Sequence, residues 1–139
     1  MATLMHCPLC DSGADRILWQ DADCRVIRVD DDDYSGFCRV IWNDHVAEMS
    51  DLGAMDRGHL MNVVFATESA LRELMIPDKI NLASLGNAVP HLHWHVIARY
   101  RDDRHYPQPI WGTPQRAPTA RAGPDDSAIA AAIERHLAS

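Results

Sequence analysis

The segment His91-Leu92-His93-Trp94-His95-Val96-Ile97 alternates histidines with apolar residues and ends in two apolar residues. Side chains alternate between the two faces of a β-strand, so His91, His93 and His95 are predicted to share one face. The apolar residues between them are predicted to face the core. Three imidazoles on one face of an otherwise apolar strand are a poor way to build a core, so the segment predicts a functional site.

The three histidines must have different roles. The rise of about 3.3 Å per residue puts His91 and His95 roughly 13 Å apart along a strand, too far to bind one zinc ion at about 2.0–2.1 Å. A neutral imidazole is a competent nucleophile toward phosphorus. His93 is the best placed for this role, because its neighbours can fix its tautomer and share developing charge. His95 is close enough to donate to phosphate oxygens or assist proton transfer.

A turn precedes the histidines at Gly86-Asn87. Glycine allows a close approach of the backbone to a ligand, so amide groups here can donate hydrogen bonds to a phosphate. The segment 86–97 therefore predicts a phosphate-binding loop followed by a nucleophile.

These residues resemble the signature of the histidine triad (HIT) family, His-φ-His-φ-His-φ-φ, in which φ is apolar. The segment 86–90 resembles the family's phosphate loop, and Tyr34-Ser35-Gly36 with the following strand resembles an earlier part of its sheet. The resemblance extends over roughly residues 7–111. It implies an α+β fold with a meandering antiparallel sheet of about five strands, one long helix and a short C-terminal helix. It also implies a homodimer formed by joining two sheets.

The resemblance further implies an activity. Family members cleave or transfer nucleotidyl groups through a nucleotidyl-histidine on the middle histidine, so the implied nucleophile is His93, with His91 and His95 beside it. The expected substrate is a small nucleotide conjugate cleaved at its α-phosphate, and no catalytic cofactor is expected. The implied substrate-binding residues are Asp30, Asn81, Gly86, Asn87 and Ala88.

Two positions depart from the family pattern. Many members have a fourth active-site histidine where this sequence has Phe37, and the phosphoramidase branch has a serine where this sequence has Ala88. That serine helps to protonate a leaving amine, so nucleoside phosphoramidates are less favoured as substrates. Two alternatives stay open: a nucleotide-binding protein with little turnover, and a metalloenzyme with two triad histidines as ligands.

Cys7 and Cys10 form a pair with the spacing of zinc ligands, but zinc in structural sites takes four ligands. Some bacterial members of the family complete such a pair with a histidine after an early strand and with the first triad histidine, here His45 and His91. The resemblance thus implies a possible structural zinc ion. The alternative is two free thiols and a hydrogen-bonded His91.

Hydrophobic patterns predict the remaining elements. The predicted strands are 16–20, 24–29, 37–42, 79–85 and 91–100. Ser50 or Asp51 is predicted to cap a long amphipathic helix that ends before Pro77. Asp125 or Asp126 is predicted to cap a short helix with an apolar stripe at Ile129, Ile133 and Leu137. We therefore expect a domain over 1–111 and a Pro-rich C-terminal extension with a short helix over 112–139.

Composition limits the possible partners. The 139 residues carry a net charge of −7, which disfavours binding to nucleic acid. No apolar run approaches the roughly 18 residues of a membrane span, and the N-terminal segment lacks the features of a signal peptide, so a cytoplasmic protein is expected. The acidic run 30–33 is expected to be a solvated turn, or to bind ribose hydroxyls with Asp30 or a neighbour.

Overall fold

The computed structural model describes residues 7–139 as a five-stranded sheet with two helices packed on one face. The α+β class is confirmed, and every neighbouring pair of strands is antiparallel, in the order β1-β2-β3-β5-β4. The elements are β1 (Ile17–Gln20), β2 (Cys24–Arg28), β3 (Phe37–Trp42), α1 (Ala54–Met75), β4 (Lys79–Ala83), β5 (His93–Arg99) and α2 (Asp126–Ala138).

The register between β3 and β5 fixes which side chains share a face. Arg39 pairs with His95, and Ile41 pairs with His93. Side chains of directly paired residues project to the same side of a sheet, so these four line one face together. The alternate residues of both strands, such as Val40 and Val96, are fully buried in the core formed with α1. The sheet thus separates a helix-covered core from an opposite face that carries the histidines.

The long helix begins later than predicted, so the expected cap at Ser50 or Asp51 is wrong. Residues Met49–Asp51 form a separate 3₁₀ turn, in which the Asp51 carboxylate accepts hydrogen bonds from the backbone of Ala47 and Glu48. The N-cap of α1 is Gly53, which has no side chain that could form a capping hydrogen bond. The Asp51 carboxylate caps the 3₁₀ turn instead of α1, so the start of the long helix was predicted a few residues too early.

The C-terminal helix packs into the same core as the sheet. Asp125 caps α2 by accepting a hydrogen bond from the backbone N–H of Ala128. Ile129 and Ile133 are fully buried in the core cluster that also holds residues of β2, β3 and α1. The apolar stripe of the C-terminal extension is therefore covered by this chain itself.

Truncation of Ile133 tests this packing. Ile133→Ala is expected to lower the free energy of unfolding by about 2–5 kcal/mol, because it removes buried methyl groups and leaves a cavity. Chemical denaturation measures the change. The exposed neighbour Glu134 is the control, and Glu134→Ala should stay within about 0.5 kcal/mol of the wild type. Equal, small effects of both variants would mean that α2 does not contribute to the core.

Neither of the two helices in residues 7–139 is long and apolar enough to cross a membrane.

Candidate active site on the open face of the sheet

His93, the first residue of β5, is held in one tautomer. Its side chain is 7% exposed, and its Nδ1–H donates a hydrogen bond to the carbonyl oxygen of His91 at 2.5 Å. A neutral imidazole carries one proton, so this bond leaves Nε2 with an available lone pair. The backbone carbonyl can also stabilise positive charge that develops on the ring when Nε2 forms a bond.

His95 lies beside His93 with the complementary tautomer. The two ring centroids are 4.9 Å apart at an interplanar angle of 84°. The Nε of Arg39 donates to Nδ1 of His95 at 3.4 Å, so the ring proton of neutral His95 is on Nε2. His93 thus offers a lone pair and His95 offers a donor.

Burial keeps both rings uncharged at neutral pH. Desolvation is the main cause that lowers the pKa of His95 to about 4, and the charges of His93 and Arg39 add to it. The pKa of His93 is also lowered, again chiefly by burial and further by Arg39, against an opposing effect of the hydrogen bond to His91. An uncharged His93 is the form that can act as a nucleophile.

His91 does not lie on this strand, which corrects the prediction that all three histidines share one strand face. Strand β5 begins at His93, because the backbone N–H of Leu92 donates to the carbonyl of Val46 in a neighbouring loop. The His91 ring is fully buried, and its Nε2–H donates to the Trp42 carbonyl at 2.6 Å. Its Nδ1 faces Cys7 and Cys10.

The two strand histidines open into a pocket of about 350 Å³. The loop that was expected to bind phosphate borders this pocket together with them, and Gly86 turns the chain there with a positive φ of 75°. A left-handed conformation at this position favours glycine. The lining residues are Pro8, Leu9, Arg39, Leu85, Gly86, Asn87, Ala88, Val89, His93, His95 and Trp111.

The structure does not bring Asp30 and Asn81 to the pocket. The Asp30 side chain is 93% exposed, lies 3.8 Å from Arg16 and borders a different depression. The Asn81 Oδ1 accepts a hydrogen bond from Arg99 at 2.7 Å. Asn81 pairs with Ile97, two residues along β5 from His95, so it lies on the same open face of the sheet, although it does not line the pocket. The expectation that Asp30 and Asn81 bind the nucleoside stays a prediction.

Two further residues, Trp111 and Arg39, line the pocket. Trp111 is half exposed, and its ring centroid lies 4.9 Å from that of His95. The segment before it is anchored by the buried Arg99, which binds Asp103 and the carbonyl of Gln108. Arg39 was not among the predicted site residues, although it is the one charged residue within the apolar strand 37–42.

A second cluster of polar side chains lies behind the pocket, where the ligand atoms of Cys7, Cys10, His45 and His91 are within 4.8 Å of one another. The Nδ1 atoms of the two histidines are 3.2 Å apart. The Cys10 Sγ lies 3.3 Å from Nδ1 of His45 and 3.5 Å from Nδ1 of His91, and the Cys7 Sγ lies 3.5 Å from Nδ1 of His91. All four side chains that were expected to form a metal site converge.

Comparison with known proteins identifies the family of the chain. No curated protein sequence matches the chain. A family model described as the HIT domain matches residues 13–102. The chain belongs to the HIT domain family. Membership associates it with nucleotide binding and with hydrolase or transferase activity on nucleotides.

Solved structures of HIT proteins share this architecture. A histidine triad protein from Bradyrhizobium japonicum is 29% identical with a TM-score of 0.71, and the match covers 96% of each chain. One from Marinobacter aquaeolei is 26% identical with a TM-score of 0.70, covering 91% of each. A Zn-bound histidine triad family protein from Mycobacterium smegmatis is 19% identical with a TM-score of 0.61, covering 94% of this chain and 88% of the other.

One departure of this HIT sequence has a visible structural consequence. Phe37 packs edge-on against His95, with ring centroids 5.8 Å apart, and its face lies 5.5 Å from the guanidinium of Arg39. Ala88 lines the pocket without a hydroxyl group. The site thus has an aromatic–arginine pair where many members have a histidine.

The lowered pKa of His95 predicts how stability depends on pH. Below the ordinary value of 6.5 the unfolded chain takes up this proton, whereas the folded chain does so only near pH 4. The free energy of unfolding should therefore fall as pH drops through this window, by of order 2 kcal/mol. His95→Gln should remove this part of the pH dependence in denaturation experiments at pH 7 and 4.5. The cysteine–histidine cluster is present in both proteins, so its acid sensitivity cancels in the difference. An equal loss of unfolding free energy between pH 7 and pH 4.5 in the wild type and in His95→Gln would contradict the prediction.

Proposed function

We propose that this chain is a nucleotidyl hydrolase or transferase that cleaves nucleoside phosphate conjugates at the α-phosphate. The observation that carries the proposal is the tautomer of His93. Its Nδ1–H is bound to a carbonyl, so Nε2 has a lone pair, and the residue shares its pocket with a glycine-containing loop. This arrangement suits attack on a phosphorus atom held by the loop.

In the first step, the lone pair of His93 Nε2 forms a P–N bond, and the bond from phosphorus to the leaving group breaks. The leaving group takes the bonding pair. The Nε2–H of His95 and backbone amides of residues 86–88 donate to the phosphate oxygens, which carry developing negative charge. The carbonyl of His91 stabilises the ring while it is positive.

In the second step, a water molecule or another acceptor attacks phosphorus. The P–N bond breaks, its electron pair returns to His93 Nε2, and the acceptor loses a proton to solvent. The residue is then ready for another cycle. Transfer to water gives hydrolysis, and transfer to another nucleophile gives nucleotidyl transfer.

The residues near the loop favour an oxygen leaving group over an amine. An amine must gain a proton as it departs, and Ala88 has no hydroxyl that could relay one. A phosphate leaving group departs as a stable anion and needs no proton. Phosphoanhydride conjugates are therefore the favoured substrates, and phosphoramidates are the weaker class.

The cysteine–histidine cluster fits a structural zinc ion. A tetrahedral site with bonds of about 2.0–2.3 Å has ligand atoms about 3.3–3.8 Å apart, close to the separations of this cluster. His91 presents Nδ1 to the cluster while its other nitrogen donates to a carbonyl, as is typical of zinc-bound histidines. Cys7, Cys10, His45 and His91 would hold the ion. It would tie the N-terminal segment to the sheet and fix His91, whose carbonyl orients His93. The Zn-bound relative from M. smegmatis has the same fold, which is consistent with this assignment.

A homodimer is proposed from the sheet topology. Strand β4 lies at the edge of the sheet and pairs only with β5 within residues 7–139. An unpaired edge can continue into the sheet of a second copy. The cytoplasmic location stays an expectation.

The second candidate function is nucleotide binding with little turnover. The replacement of a histidine by Phe37 favours it, because this ring cannot exchange protons with the substrate. The metalloenzyme alternative is less favoured. The Nδ1–H of His93 is hydrogen-bonded to a backbone carbonyl, so this nitrogen is not free to bind a metal. The Nδ1 of His91 faces Cys7 and Cys10 and not the other two triad histidines.

Hydrolysis in ¹⁸O-labelled water tests the proposal. The protein is incubated with diadenosine triphosphate and, separately, with adenosine phosphoramidate, and the products are analysed by mass spectrometry. Attack at the α-phosphate predicts one ¹⁸O atom in the released AMP and none in the ADP from the first substrate. Label in ADP would place the attack elsewhere. Tight AMP binding without turnover of either substrate would support the binding protein instead.

A further inference from the structure

Arg39 differs from the other arginines on the strands. In Arg25, Arg28 and Arg99, all three guanidinium nitrogens donate to carboxylates, side-chain amides or carbonyl groups. Arg39 donates only through Nε, to His95, and has no carboxylate within 4.0 Å among residues 7–139. The six residues before Cys7 contain no acidic side chain.

The position of Arg39 makes this lack of a partner informative. The residue is half-buried, lines the pocket beside His93, and stacks on the face of Phe37. Burial lowers the pKa of Arg39, but a guanidinium stays charged in proteins. The charge of Asp15 opposes this shift from a distance, but its carboxylate forms an ion pair with Arg25. A partly desolvated cation with no contacting counter-charge costs free energy. Within residues 7–139, neither terminal nitrogen has a hydrogen-bond partner, so both are available to an anion that enters the pocket.

We propose that Arg39 forms a subsite for a second phosphate group of the substrate, in addition to the phosphate that His93 attacks. This inference rests on the proposed nucleotide function. His95 points Nε2–H to the attacked phosphate, while Arg39 lies on the Nδ1 side of the same ring. Because the two ring nitrogens point in different directions, the terminal nitrogens of Arg39 reach a different group. A planar guanidinium with two parallel donors matches phosphate oxygens.

The second phosphate can come from two sources with the same chemistry. It can follow the attacked phosphate along the chain, as in a nucleoside diphosphate or a dinucleoside polyphosphate. It can also sit on the ribose, as in a nucleoside 3′,5′- or 2′,5′-bisphosphate. Both place a second anionic phosphate group close to the α-phosphate, so the experiment must include ligands of each kind.

Binding measurements on the full chain test the subsite without requiring catalysis. In a His93→Ala background, isothermal titration gives the Kd values of AMP, ADP, and the 3′,5′- and 2′,5′-bisphosphates of adenosine. At least one ligand with a second phosphate should bind about tenfold or more tightly than AMP. Arg39→Met should remove this advantage, and Arg39→Lys should keep part of it. Arg57→Met, at an exposed position of α1 on the helix-covered side of the sheet, is the control and should keep all of it.

The ligand that shows the advantage identifies the source of the second phosphate. The inference is overturned if no second phosphate improves binding over AMP, if no nucleotide binds, or if the advantage persists in Arg39→Met. A misfolded variant is recognised because its affinity for AMP itself would also collapse, and Arg39→Lys then decides by the ratio of its affinities. Failure of the catalytic proposal is separate, since absence of turnover leaves these affinity ratios measurable.

Discussion

Replacing His93 with alanine is expected to lower kcat/KM for diadenosine triphosphate by roughly 10⁴-fold or more. The substitution removes the atom that forms the bond to phosphorus, and losses of this size follow removal of a catalytic nucleophile. His95→Ala should cost less, about 10²–10³-fold, because it removes one donor to the phosphate. Release of AMP under steady-state conditions measures both changes.

The matched control is another histidine far from the pocket. His136 lies on α2 and pairs with Glu73 of α1 at the surface. His136→Ala should keep activity within about twofold of the wild type, and thermal denaturation should show that His93→Ala is folded. Retention of more than about one hundredth of the activity by folded His93→Ala would rule out this residue as the nucleophile.

Removal of the metal is expected to destabilise the fold strongly. The purified protein should contain about one zinc ion per chain. A strong chelator should lower the Tm by about 10 °C or more, because binding of structural zinc contributes directly to the free energy of folding. The N-terminal segment with Cys7 and Cys10 should then lose its attachment to His45 and His91. Elemental analysis and thermal denaturation provide the two readouts.

The double variant Cys7→Ser, Cys10→Ser supplies the control for chelation. It should contain no zinc, melt near the Tm of the chelated wild type, and show no further shift when chelator is added. A wild type without zinc, or a chelator effect of equal size in the double variant, would show that this cluster is not a metal site. In that case the thiols and imidazoles contact one another only through hydrogen bonds.

Features encoded within one segment were predictable from the sequence. The alternation of histidines with apolar residues in 91–97 predicted a strand with a polar face, and the structure places His93 and His95 on it. Gly86 marked the turn beside them. The convergence of Cys7 and Cys10 with distant histidines was accessible only through the resemblance to known HIT sequences, because no local pattern connects positions so far apart.

Features that depend on the pairing of strands were not predictable. Arg39 reaches the pocket because the register pairs it with His95, and no pattern within 37–42 specifies that partner. Asp30 misses the pocket because the acidic turn lies beyond the strand and faces Arg16. His91 leaves the strand because a loop takes the hydrogen bond of Leu92. In each case a contact between distant segments decides where the side chain lies.

Intact-mass analysis of the protein during turnover tests the central claim most directly. The protein is mixed with diadenosine triphosphate, quenched within milliseconds in base, where phosphoramidate bonds to histidine are more stable than in acid, and analysed before the bond hydrolyses. We expect a population heavier by one nucleotidyl group, with the group mapped to His93 in peptide digests and absent from His93→Ala. Turnover without any adduct in the wild type, or an adduct of equal abundance in His93→Ala, would contradict covalent catalysis by His93.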